Sequence, residues 1–193
     1  MAVTVINVGT SANDNTGDTL RNAFIKTNTN FDILSTTSKI TGGDLTINDV
    51  RVGRGASNIG TNTVVGAGAL ASNTSGENNT VIGLGALANN TVGYANTANG
   101  VNALSSNTSQ ANNTAIGVNA MMNASTNTST AMGVQSLQNC SGDRNVGIGV
   151  NVLRLSGGQD NTVVGSYAMQ SATSGNYNVA LGYGAFGLSL SGN

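Results

Sequence analysis

The sequence predicts a mostly β protein: a homotrimeric parallel β-solenoid, or β-roll, of about eight coils of 16–17 residues, preceded by a small N-terminal strand–loop–helix module. Three observations predict it. One phrase is written repeatedly, as NNTVIGLGAL at residues 79–88, NNTAIGVNAM at 112–121 and DNTVVGSYAM at 160–169. The glycine of that phrase returns at a nearly constant interval. Only 8% of the 193 residues are charged, against about 25% in an ordinary soluble domain, while 38% are hydrophobic.

In chain order, residues 1–40 form the N-terminal module. A short strand around Val3–Val8 leads into a Gly/Asn/Asp loop, and Asp18 or Thr19 caps a helix expected over about 18–35. Leu20, Phe24, Thr27, Phe31 and Leu34 follow one another at spacings of 4, 3, 4 and 3. That spacing makes a narrow apolar seam suited to helix–helix contact between chains. Arg21 is solvated beside the seam, where a rigidly held guanidinium can dock onto another protein. The NDNTGD loop at 13–18 does not read as a calcium loop. With Gly17 in its sixth place, the first ligand position falls on Ala12. Residues 41–61 read as a connector.

Residues 62–193 carry the repeats. The glycines are Gly66, Gly83, Gly100, Gly117, Gly133, Gly149, Gly165 and Gly182, at spacings of 17, 17, 17, 16, 16, 16 and 17. A fixed short period is the signature of a repeat architecture. Four residues after each glycine stands a large apolar side chain: Leu70, Leu87, Leu104, Met121, Leu137, Leu153, Met169 and Phe186. Four residues before it stands asparagine, or Ser129 in one copy. Each unit reads as one coil of two short strands and two turns, and coils of this kind stack. In the first strand the alternation puts Val65, Ile82, Ile116 and Val164 on one side with the threonines. These four, with the Leu/Met/Phe series, form the expected solenoid core. The opposite side (Val64, Val81, Ala98, Ala115, Ala131, Val163 and Ala180) is expected to face sister chains, because so thin a core needs a partner. Rotational closure around identical contacts favours three chains.

Stacking also explains the missing charge. Equivalent side chains in neighbouring coils lie about 4.8 Å apart. Like charges at that distance repel by about 0.9 kcal/mol even in water. From Gly55 to Gly142 the only charged residue is Glu77. Asparagine and threonine can instead bond to their own copies above and below.

The composition excludes several functions. A net charge of −1 without a basic patch gives nucleic acid no purchase. There is no apolar run long enough for membrane insertion and no signal-peptide pattern at the N-terminus. Cys140 is alone, so cysteine-based metal sites and internal disulfides are not expected. Isolated G-x-G triplets without a strand–loop–helix setting predict no cofactor. The sequence has no histidine, hence no common general base, and no enzyme is expected. Asp143 and Asp160, on successive coils, keep a glycosidase-like carboxylate pair as a remote alternative; Arg144 and Arg154 beside them favour an ion-pair patch. Tyr167, Tyr177 and Tyr183 crowd into the last two coils and are candidates for a distal contact with a host glycan or receptor.

The stretch VGTSANDNTGDTLRNAFIKTNTNFDIL resembles the amino-terminal module of bacteriophage virion proteins, chiefly tail-fibre and baseplate-associated proteins. VRVGRG at 50–55, leading into the repeats, looks like those fibres too. The repeats are similar to phage fibre shafts and, more distantly, to the β-roll heads of trimeric autotransporter adhesins. The resemblance implies a homotrimer located in the virion. Its amino end would attach to a tail, baseplate or capsid protein through Leu20, Arg21, Phe24, Phe31 and Leu34, and a shaft of roughly 40 Å would project outward. It leaves open a receptor-binding adhesin working through its C-terminal coils, and a polysaccharide depolymerase spike.

Overall fold

The computed structural model describes residues 43–171 and 173–186. The expected N-terminal module, its helix and the residues Leu20, Arg21, Phe24, Phe31 and Leu34 lie outside the described residues. Within them the chain is a β-solenoid with almost no helix. Its strands are β1 (Leu45–Ile47), β2 (Val50–Gly53), β3 (Thr63–Val65), β4 (Thr80–Ile82), β5 (Thr97–Asn99), β6 (Thr114–Ile116), β7 (Thr130–Met132), β8 (Val146–Ile148), β9 (Thr162–Val164) and β10 (Val179–Leu181). They form one sheet in sequence order. From β3 to β10 every neighbouring pair is parallel, with like residue over like: Thr63 pairs Thr80, Thr80 pairs Thr97 and Thr97 pairs Thr114. The glycine column marks seven coil-to-coil steps, which at about 4.8 Å each give a column of roughly 34 Å.

The expected connector contains the start of the sheet. Asn48 and Asp49 both adopt positive φ, 47° and 64°, the conformation of a tight hairpin turn between twisted strands. β2 then runs antiparallel to both β1 and β3. Asp44 fastens this hairpin: its carboxylate accepts the N–H groups of Arg54 at 2.6 Å and Gly55 at 2.8 Å. It also meets the Arg51 guanidinium at 3.3 Å.

Each coil holds one strand, not two. The second half was expected to be extended, but it turns through left-handed backbone. Leu70, Leu87, Leu104, Met121, Leu137, Leu153 and Met169 all have φ between 46° and 53°, a conformation that is sterically costly for a bulky side chain. The fold tolerates it because the side chain gained is the core. These residues are fully or almost fully buried, and their N–H groups bond the coil above, as from Leu70 to the Ala86 carbonyl at 3.0 Å and from Leu87 to Ala103 at 2.9 Å. Coil-to-coil bonding therefore continues through the turns, for example from Gly85 to Ala67 at 2.9 Å and from Thr74 to Thr91 at 2.8 Å.

The strand is turned over relative to the expected register. Val64, Val81, Ala98, Ala115, Ala131, Val163 and Ala180 point inward and are buried. Val65, Ile82, Ile116 and Val164 point outward, partly or fully exposed. The cause is volume. The mid-strand residue abuts the Leu/Met column and the column of Ala69, Ala86, Ala103 and Ala120, so only Val, Ala or Gly fits there. In the coil where Val152 replaces that alanine, the strand residue shrinks to Gly147, and an added methyl there would collide with the Leu137 side chain. Phe186, expected in the core, is 57% exposed on the last described coil.

Candidate functional site

The repeat builds three features: a buried polar spine, an outward apolar band and a cluster of tyrosines on the last two described coils.

The spine is the asparagine column. Asn79 donates its backbone N–H to Asn62 Oδ1 at 2.8 Å, Asn96 to Asn79 at 3.0 Å and Asn113 to Asn96 at 3.0 Å. The series continues through Ser129, Asn145, Asn161 and Asn178. The amide nitrogen at the other end donates to a turn carbonyl of the next coil, as from Asn62 to Gly76 at 2.8 Å and from Asn96 to Gln110 at 2.9 Å. One buried side chain thus satisfies two backbone groups and ties two coils. A second column, Asn73–Asn90–Asn107, is bonded amide to amide at 3.1 and 2.8 Å. It stops where the coils shorten from 17 to 16 residues: the next occupants are Ala124, Cys140 and Ser156. Asn107 Oδ1 is consequently buried without a partner. Cys140 is buried in the same column, and desolvation pushes its thiol up to about 11.

The apolar band flanks the glycine column. The glycines sit at strand ends with φ from 118° to 146°. A side chain on Gly66, Gly83 or Gly100 would overlap the backbone of the glycine in the next coil. Immediately before the glycines stand Ile82, Met132 and Ile148, and immediately after them Leu84, Val101, Val118, Val134 and Val150, all exposed. The second of these columns was not anticipated from the sequence. The signal was present: five of the eight residues following the glycines are Leu or Val.

The last two described coils carry the tyrosines. Tyr167 and Tyr183 meet edge to face with ring centroids 5.6 Å apart, and Tyr177 is 75% exposed. Leu181 and Tyr183, about 80% exposed, are far barer than their counterparts in inner coils.

The carboxylates singled out for chemistry are already engaged. Asp160 receives Arg144 Nε at 2.6 Å and Nη2 at 2.8 Å, and the hydrogen bond from Arg144 holds its carboxyl below the usual range. Asp143 accepts the Asn127 N–H at 2.7 Å. Among the described residues no cluster of His, Cys, Asp or Glu fits a metal ion, and no helix is long and apolar enough to cross a membrane. The chain matches no known family, curated protein or solved structure.

Proposed function

We propose that the chain is a structural protein of a phage virion: a homotrimeric fibre or fibre-like appendage, anchored to a tail, baseplate or capsid protein by residues 1–40, whose solenoid holds its outer end at a set distance. The observation that carries this reading is the column itself. It has hydrogen bonds running from coil to coil and an almost uncharged wall. The resemblance of the N-terminal stretch to virion attachment modules supports the placement in a particle. The reading is tested by electron microscopy of intact particles carrying a gold label at the carboxyl terminus. The label should stand clear of the particle surface; absence of the chain from purified particles overturns the reading.

The exposed aromatic residues of the last two described coils favour a second reading, a receptor-binding adhesin working through that end. Here the purified protein binds host cells or envelope glycans, and Tyr177→Ala with Tyr183→Ala abolishes the binding.

A further inference from the structure

The apolar band needs an occupant. Between Gly55 and Gly142 the wall of the solenoid carries a single charge, Glu77, and the two columns beside the glycines bear no charge from Val65 to Tyr183. Eight of their apolar members between Ile82 and Val150 are 36–57% exposed, a continuous apolar strip of the kind that marks an interaction surface.

We propose that this band is the surface through which copies of the chain pack side by side, parallel and in register. The column before the glycines of one copy lies against the column after the glycines of the next. Three observations identify the partner as a second copy. First, the band repeats at the coil pitch over seven steps, so whatever covers it along its length must offer apolar groups at that pitch, and an identical solenoid does so at every coil. Second, the two ends of the band differ in bulk: the flanking residues are Val65 with Ala67 at one end and Leu181 with Tyr183 at the other. Parallel in-register packing sets large against large and small against small; antiparallel packing sets the Tyr183 end against the Ala67 end. Third, the two columns are unlike and lie on either side of one bend, which makes the contact head-to-tail, and in-register packing with no shift along the columns leaves a ring about an axis parallel to them as the closed form of such a contact.

The inference rests on the rod reading above and fails separately from it. The full chain, 19.2 kDa, is sized by light scattering as wild type, as Val118→Lys/Val134→Lys, and as the control Ser75→Lys/Ser109→Lys, whose exposed serines lie away from the band. Wild type and control should have the mass of three copies. The band variant should dissociate at concentrations at least tenfold higher while its circular dichroism is retained. A monomeric wild type overturns the proposal and removes the self-association from the rod reading. An unchanged mass in a folded band variant overturns the face alone. Should the band variant lose its fold, cysteine pairing decides. In a Cys140→Ser background, Met132→Cys chains coexpressed with Val134→Cys chains should form disulfide-linked dimers. Met132→Cys coexpressed with Val101→Cys, two coils away, should not. Linkage of the offset pair instead of the matched pair overturns the register.

Discussion

The asparagine of the spine is the residue with most at stake. Asn96 accepts one buried backbone N–H and donates to one part-buried carbonyl. Truncation strands the Asn113 N–H, at a cost of about 1–3 kcal/mol, while the Gln110 carbonyl keeps its bond from Asn107 at 3.2 Å. Asn96→Ala should therefore lose about 1–3 kcal/mol in urea unfolding, chiefly through that stranded N–H. Cys140 makes a different prediction. Its thiol ordinarily ionises near 9.0 and is pushed up to about 11 by burial, so the folded chain holds the proton more tightly than the unfolded chain. That contribution is complete below pH 9.0 and declines as pH rises toward about 11, by on the order of 2 kcal/mol. Cys140→Ser installs the side chain that the next coil already carries at Ser156, and it should flatten the alkaline fall in stability measured by chemical denaturation. The Leu/Met column and the asparagines were legible from spacing alone, because residues that repeat in phase occupy one place in every coil.

At the scale of the strand, legibility ended where two faces were both apolar. Alternation shows which residues share a face, but not which face is inside. Assigning the larger residues of Val65, Ile82, Ile116 and Val164 to the core reversed the strand. One clue was Asn99, which interrupts that outward column, whereas the inward column holds only Val, Ala and Gly in every coil. The expected second strand failed for a related reason: a leucine gives no local signal that it adopts left-handed backbone, since only packing forces it there. The glycine at the strand end is the most constrained position of the element. Gly100→Ala would drive a methyl into the Gly117 backbone and strain a φ of 146°. It should lower stability by about 3–5 kcal/mol, seen as a lower midpoint in thermal unfolding followed by circular dichroism.

For the molecule as a whole, each coil touches only its neighbours, so stability should accumulate coil by coil. The antiparallel hairpin β1–β2 finishes one end of the sheet, and Asp44 holds it through two backbone amides and Arg51. Asp44→Ala should loosen that end first, with hydrogen exchange rising in residues 45–65 before it rises near Gly149. The repeated contacts have one more outcome. Residues 84–100 make one complete turn of the winding, and their neighbours on either side present the same bonding groups to one another. Excising those 17 residues should rejoin the column without a seam and shorten it by about 4.8 Å. A lineage carrying this chain can thus set its reach in whole-number increments by gaining or losing copies of a single genetic word.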